Sequence, residues 1–314
     1  MKARVVITDH DFPIAERAGE FFAAAGAELV VAQCQTPAEV IAAAADAAAL
    51  LVQYAPINAA VIQQLARCKV IVRYGIGVDN VDLAAAKTHG IPVCNVPDYG
   101  IDEVADHTLA LILALARQLP QWDARLRGGS GSMAPERRLR ALRELTLATA
   151  GLGRIARAVL ERARAFGFRL AAYARSAPAM TGVVRLSVDE LFRQADILSL
   201  HLPLTPATKH LVNAARLALM KPTAIIVNTA RGELVDTVAL AEALQKRRIA
   251  GAGLDVFETE PLPADHPLRQ CPNALLTPHV AWFSEASLPR LQCLAGEEVV
   301  RALRGEPLRN RVTT

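Results

Sequence analysis

Short apolar runs rich in Val, Ile and Leu alternate with alanine-rich helical stretches almost from one end of the chain to the other. That alternation narrows the fold more than any other feature. The runs fall at 4–8, 29–32, 49–53, 70–73 and 93–95, then at 145–150, 169–173, 197–200, 224–228, 251–255 and 274–276. Strands separated by helix-length segments pair in parallel, because a parallel partner needs a crossover rather than a hairpin. The expectation is an α/β protein of right-handed βαβ units. At 314 residues and 52% hydrophobic content the chain exceeds what one small core organises. Two sheets of about five or six strands are therefore expected, with the seam near 97–100 ahead of a long helical pattern at 101–119. The tail at 284–303 again reads as an amphipathic helix. The Gly- and Ser-rich stretch 127–135 reads as a mobile loop.

One turn in the second series has the makings of a cofactor site. Gly151-Leu152-Gly153-Arg154-Ile155-Ala156 follows the strand at 145–150 and opens a helix at 154–166, and a second strand ends at Tyr173. Gly151 and Gly153 allow a tight turn and close approach of a pyrophosphate, while the helix start at Arg154 and Ile155 offers N–H groups and a favourable dipole. Ala156 stands at the third glycine position. A lone glycine fingerprint is weak; with a strand before it and a helix after it, it indicates a dinucleotide. At the end of the second strand an acidic residue would bind the adenosine ribose and repel a 2′-phosphate. The chain has Ala174, Arg175 and Ser176 there, which suits NADP. The alternative is NAD, with Arg175 pointing into solvent.

Three ionisable residues follow in fixed order: Arg231 in NTARGELVD, Glu260 in GLDVFETEP and His279 in LLTPH. Singly they read as a turn arginine, a solvated glutamate and a packed loop histidine. Together they suit reversible reduction of a 2-keto acid. The guanidinium grips a carboxylate through its planar fork. The imidazole exchanges a proton near neutrality, held and charged by the neighbouring carboxylate. Of the seven histidines, only His279 has this setting; His107, on the long helix, reads as a packing or domain-boundary residue. No cluster has metal-ligand spacing. Gly75-Ile76-Gly77 after the strand at 70–73 lies where open α/β sheets bind ligands.

The charge balance of +4, from 35 basic and 31 acidic residues, is thin and spread out, which argues against nucleic acid. Five scattered cysteines without a C-x-x-C pair read as reduced thiols, mostly buried. No apolar run approaches the roughly 20 residues of a membrane span, and the N-terminus has no signal-peptide core. A soluble, cytoplasmic protein is expected.

These residues resemble the D-isomer-specific 2-hydroxyacid dehydrogenases, most closely the branch of C-terminal-binding-protein-like proteins. The markers run the length of the chain: VRYGIGVDNVD at 72–82, CNVPDYGIDEVADHTLALIL at 94–113, GLGRIA at 151–156, HLPLTPATKHLVN at 201–213, NTARGELVD at 228–236, GAGLDVFETEP at 251–261 and TPHVAWFSEAS at 277–287. The resemblance implies a flavodoxin-like substrate domain at 1–98 and 285–314, around a Rossmann-type doubly wound cofactor domain at 99–284, with catalysis in the cleft and dimerisation through the cofactor domain.

By the same resemblance Arg231 binds the substrate carboxylate and keto oxygen, His279 is the acid/base, and Glu260 orients and charges it. Backbone N–H groups at Gly75, Ile76 and Gly77 cradle the carboxylate, and Arg73 faces the substrate; Arg73 as a surface cation at its strand end is the plainer alternative. Thr108, His201, Pro203, Thr208, Thr229, Ala230 and Asp255 line the cofactor pocket in relatives. Asp255 would pair with the nicotinamide carboxamide, or cap its strand. Trp282 would wall off the pocket and select substrate size.

The chain departs from the family pattern in its small-residue strand LTLATA, in Glu144 where a glycine is common, in extra residues at 137–143, and in a short interval between Glu260 and His279. The expected reaction is reduction of a 2-keto acid to a D-2-hydroxy acid by NADPH or NADH, with domain closure excluding water. The contrasting expectation is a dinucleotide-sensing, corepressor-like binding scaffold with little turnover.

Overall fold

The computed structural model describes residues 2–135 and 137–312. The chain divides into two compact units, one formed by residues up to Gly100 together with those from Phe283 onward, the other by Ile101–Trp282.

The first unit is built on a five-stranded parallel sheet. Its strands are β1 (Ala3–Ile7), β2 (Ala27–Val31), β3 (Ala49–Val52), β4 (Ile71–Arg73) and β5 (Val93–Cys94), in the order β2-β1-β3-β4-β5. That is the flavodoxin-type order. Val5, Val6 and Ile7 of β1 and Leu50, Leu51 and Val52 of β3 have no accessible surface. Both faces of the central strands are covered, so their sequence is continuously apolar rather than alternating. The crossover helices are α1 (Ala18–Ala24), α2 (Pro37–Ala44), α3 (Ala59–Gln64) and α4 (Leu83–Thr88). Thr36 and Glu39 form a capping box on α2, and the side chains of Asn58 and Asp82 accept the first N–H groups of α3 and α4. The last helix of the chain, Ser287–Arg304 (α11 in chain order), returns to this unit and packs on β3 and β4.

The second unit carries a seven-stranded parallel sheet. Its strands are β6 (Thr146–Ala150), β7 (Arg169–Tyr173), β8 (Val183–Arg185), β9 (Ile197–Leu200), β10 (Ile225–Asn228), β11 (Gly251–Leu254) and β12 (Ala274–Leu276). The order β12-β11-β10-β9-β6-β7-β8 reverses direction between β6 and β9. Open sheets bind ligands at such a reversal, outside the carboxyl ends of the strands. The helices are α5 (Ile101–Ala116), α6 (Leu119–Arg127), α7 (Arg154–Ala165), α8 (Val188–Gln194), α9 (Ala214–Leu217) and α10 (Thr237–Gln245). α5 and α7 pack together on one face around Ile112, Leu147 and Leu160. No helix among the described residues is long and apolar enough to cross a membrane.

The sheets have five and seven strands, not five or six each. The extra strand, β8, lies at the sheet edge with Val184 62% exposed, so it lacks the apolar signature of a buried strand. The single helix expected at 101–119 is two. α5 stops at Ala116, Gln118 takes a left-handed φ of 55°, and α6 starts at Leu119 with Pro120 in its first turn. Pro120 has no N–H to bond the Ala116 carbonyl, so one helix cannot run through it although the apolar period continues past the break. The 128–135 stretch forms neither helix nor strand and is exposed.

Asp196, 4% exposed, ties the lower end of this sheet together. Its carboxylate accepts the Thr146 N–H and the cations of Arg140 and Lys221, each at 2.9 Å. Burial alone would raise its pKa, but these donors outweigh burial and hold it below the ordinary carboxylate value. Asp196→Asn is expected to cost about 2–4 kcal/mol at neutral pH. A depressed folded pKa stabilises fully above the ordinary Asp value of about 3.9 and is lost as pH falls through the folded value. Denaturant melts of both proteins should therefore converge in acid; a gap constant with pH would remove this account.

Candidate active site

The three ionisable residues singled out above all lie in the second unit, on loops leaving the carboxyl ends of β10, β11 and β12. Asn228, fully buried at the end of β10, shapes the first loop: its amide donates to the Arg231 carbonyl at 2.8 Å, and its oxygen accepts the Ala230 N–H at 3.0 Å. The Arg231 guanidinium in turn donates to the Ala230 carbonyl at 2.6 Å. Gly232 next to it is obligatory. A Cβ there would lie 1.9 Å from the carbonyl carbon and oxygen of Phe257, so the two loops touch backbone to backbone.

Glu260 extends from the β11 loop. One carboxylate oxygen accepts the Phe257 N–H at 2.9 Å, and the other meets His279 Nδ1 at 2.7 Å. About a quarter of the His279 side chain and a third of the Glu260 side chain are accessible, 25% and 32%. Burial pushes the Glu260 pKa up; the His279 contact, the Phe257 N–H and the charge of Arg231 together outweigh it, so the group is held below the ordinary value and stays ionised at neutral pH.

His279 has a left-handed φ of 54°, unusual for a residue with a Cβ. Asp255, 1% exposed, holds that turn. Its Oδ1 accepts the Thr277 hydroxyl at 2.6 Å and the Val280 N–H at 3.0 Å; its Oδ2 accepts the Ala281 N–H at 2.9 Å. The His279 N–H also donates to the Asp255 carbonyl at 2.7 Å. Because the Thr277 hydroxyl is given to Asp255, His107 Nε2, 3.0 Å from Thr277 Oγ1, acts as donor to it. His107 on α5 thereby joins the support of the turn.

The glycine turn fits a dinucleotide. Gly151 has φ 111°, and a Cβ there would sit 2.4 Å from the His201 carbonyl oxygen. Gly153 is the N-cap of α7 in extended backbone with no side-chain cap, and a Cβ on it would meet nothing within 4 Å. A helix N-terminus that follows a glycine with room beside it and no side-chain cap is the arrangement that takes a phosphate. Arg154 is exposed and Ile155 half-buried at the same turn.

The other residues expected to line a cofactor pocket lie on α5 and on the loops after β7, β9 and β10. Thr108 is fully buried; its hydroxyl donates to the Val104 carbonyl at 2.6 Å and lies 2.8 Å from the Thr229 hydroxyl. The His201 ring meets Ser199 Oγ at 2.8 Å, and although part of the residue is accessible, burial of the ring lowers its pKa to about 4, leaving it neutral. Thr208 closes the next loop by donating to the Pro203 carbonyl at 2.7 Å. Arg175 and Ser176 are exposed just beyond β7, on a loop whose Ala174 and Ala177 carbonyls accept the Arg185 guanidinium. Trp282 is half-buried three residues after His279.

In the first unit, Arg73 at the end of β4 lies 5.8 Å above the Tyr54 ring. Gly75 has φ 133°, where a Cβ would overlap the Arg73 guanidinium, and the Ile76 carbonyl accepts the Asn95 amide at 2.6 Å.

Sequence reasoning gave Asn228, Thr277 and Glu258 no role. None has a spacing signal: Asn228 shapes its own loop, while Thr277 and Glu258 act on side chains that only the folded loops bring near.

A doubly wound, dinucleotide-type unit with an Arg, a Glu–His pair and an uncapped glycine turn at its strand ends defines a class of nucleotide-dependent oxidoreductases. Residues 109–281 match the family model described as the D-isomer specific 2-hydroxyacid dehydrogenase NAD binding domain. The chain is 39% identical to a D-3-phosphoglycerate dehydrogenase of Methanocaldococcus jannaschii over 98% of its own length and 59% of that protein's. It is 37% identical to a glyoxylate reductase of Korarchaeum cryptofilum, over 80% of this chain and 78% of the relative. Among solved structures, the TT0316 protein of Thermus thermophilus superposes with TM-score 0.89 at 40% identity, covering 98% and 99% of the two chains. An NADPH-dependent glyoxylate/hydroxypyruvate reductase of Sinorhizobium meliloti, in complex with NADP and malonate, gives 0.88 at 30% identity, covering 99% and 97%. The chain belongs to the D-isomer specific 2-hydroxyacid dehydrogenase family. The resemblance to C-terminal-binding-protein-like proteins has no counterpart among these relatives.

Proposed function

We propose that the protein reduces a small 2-keto acid to the D-2-hydroxy acid, using Arg231, Glu260 and His279. The observation that carries the reading is the 2.7 Å contact of His279 Nδ1 with the ionised Glu260, beside Arg231. Arg231 binds the substrate carboxylate and keto oxygen and fixes one approach; positioning of this kind is worth several kcal/mol, on the order of 7–11 at its upper range. Glu260 holds Nδ1, so the proton given to the keto oxygen comes from Nε2. Asp255 keeps the ring in that orientation through the 277–281 turn. The bound nicotinamide supplies the hydride. Gly151, Gly153 and the start of α7 would hold its pyrophosphate, and Arg154, Ile155, Thr108, His201, Pro203, Thr208, Thr229 and Ala230 would line the rest of its pocket. Asp255 has three donors already, so its remaining lone pair is what it offers a carboxamide. Arg73, the Gly75–Gly77 turn and Trp282 contact the substrate in this reading.

Steady-state assays with glyoxylate, hydroxypyruvate and a bulkier 2-keto acid, each with both nicotinamides, test it. Absence of turnover with every pair would return the protein to the binding-scaffold reading, which no relative named above supports.

NADP is the favoured cofactor. Arg175 and Ser176 are exposed where a carboxylate would exclude a 2′-phosphate. The expected KM for NADPH is at least about tenfold below that for NADH, the effect of one charge-assisted phosphate contact of ~1.5–3 kcal/mol. Arg175→Ala should close most of that gap; a wild-type preference for NADH refutes the assignment. A cytoplasmic homodimer completes the proposal. The support for the dimer is α6, which buries no residue of its own and leaves Leu119 and Leu126 55% and 71% exposed.

A further inference from the structure

A second carboxylate–histidine pair lies two residues from Glu260. Glu258 Oε1 meets His210 Nε2 at 2.6 Å, and its Oε2 accepts both the Thr237 N–H at 2.9 Å and the Thr237 hydroxyl. His266 Nδ1 accepts the Leu268 N–H, so its Nε2, 3.3 Å from Thr237 Oγ1, is the donor of that contact. Glu258 is therefore anchored to the start of α10 and to the loop before α9 at once. Burial would raise its pKa, yet the Thr237 and His210 donors keep it below the ordinary carboxylate value.

The anchored peptide is the one both catalytic loops lean on. Its Phe257 N–H holds Glu260 Oε1. Its Phe257 carbonyl and Glu258 N–H back directly onto Gly232, where a Cβ would come within 1.9 Å and 2.5 Å of them. His210 closes the circuit: its N–H donates to the Glu233 carbonyl at 2.7 Å, in the turn that follows Arg231. His210 itself sits at a left-handed φ of 49°, a geometry that a histidine keeps only when its surroundings hold it.

We propose that Glu258 is a positioning residue for the reaction, fixing Arg231 and Glu260 relative to each other through the 257–258 peptide, with His210 and Thr237 as its anchors. The inference rests on the catalytic reading of Arg231, Glu260 and His279 given above. Glu258 touches neither substrate nor cofactor; it acts through the backbone that the two catalytic loops share. A shift of about 1 Å in such a constellation costs on the order of 10²-fold in rate.

The test uses the full chain, with glyoxylate as substrate probe and the preferred nicotinamide titrated by fluorescence, so that kcat is expressed per cofactor-binding site. That ratio separates positioning from stability, because a merely structural loss reduces the number of competent sites and leaves each one at full speed. Glu258→Ala is expected to lower kcat per site about 10- to 100-fold, with nicotinamide affinity unchanged within about twofold. Glu258→Gln keeps an oxygen for Thr237 but opposes a donor to His210, and is expected to lose about fivefold. If the alanine variant does not fold, the glutamine variant decides alone. A loss of about threefold or more at unchanged nicotinamide affinity supports the proposal; a smaller loss, or a parallel loss of nicotinamide affinity, overturns it. His279→Ala keeps the two readings apart. Full activity there removes the catalytic reading itself, whereas an inactive His279→Ala beside a Glu258→Ala at wild-type speed removes only the positioning role.

Discussion

His279→Ala is expected to lower kcat for keto-acid reduction by about 10²- to 10⁴-fold, the span associated with a positioned general acid, while the dissociation constant for the nicotinamide changes less than about twofold. The turn that carries the ring does not depend on the ring. Asp255 holds it by three side-chain bonds to Thr277, Val280 and Ala281 and by its own carbonyl. Alanine is less at ease than histidine at a φ of 54°, so His279→Asn, which tolerates that region, serves as the companion variant. Both should bind cofactor and fail at turnover. Either one retaining more than about a tenth of wild-type kcat would take the proton-transfer role away from His279.

Arg231→Lys should be nearly as damaging, with kcat/KM for a 2-keto acid falling about 10²- to 10³-fold, or ~3–4 kcal/mol. Lysine keeps the charge and loses the planar fork that meets a carboxylate at two points. Asn228 and the Gly232 contact fix the backbone here, so the substituted side chain cannot recover the geometry by moving its Cα. The loss should appear mostly with substrates carrying a carboxylate. A simple aldehyde lacking one, already poor, should lose much less, because only the contact to its carbonyl oxygen is at stake. Equal losses on both substrates would mean that Arg231 does not grip the carboxylate.

Much of this was legible in the residues. Val5–Ile7, Leu50–Val52 and Ile197–Leu200 announce buried parallel strands because covered sheet faces demand unbroken apolar runs. The glycine turn at 151–153 was legible because backbone approach to a phosphate admits few residue types. Arg231, Glu260 and His279 stood out by their joint chemistry and their order along the chain. What was not legible has physical reasons. β8 carries Val184 on an exposed edge, and solvent exposure removes the pattern that marks a strand. The break between α5 and α6 depends on a left-handed Gln118, while the apolar period continues across it. Glu258 carries no signal of its own in the sequence. Its partners Thr237 and His210 lie 21 and 48 residues away, and only the closed loops bring them within hydrogen-bond distance.

The first unit draws on both ends of the sequence, with Ser287–Arg304 packed on β3 and β4. On a ribosome, the first hundred residues emerge well before the segment that seals them. The second unit, made from one uninterrupted stretch, can reach its native core in the meantime. During that wait Leu51 and Val72, which alternate with the Leu50 and Ile71 that pack on α2–α4, lie on a sheet face still uncovered, and uncovered apolar faces invite association between nascent chains. Changes in Leu291, Ala295 or Val299, buried apolar residues of the late-arriving helix, would therefore weaken both the finished core and the step that seals it.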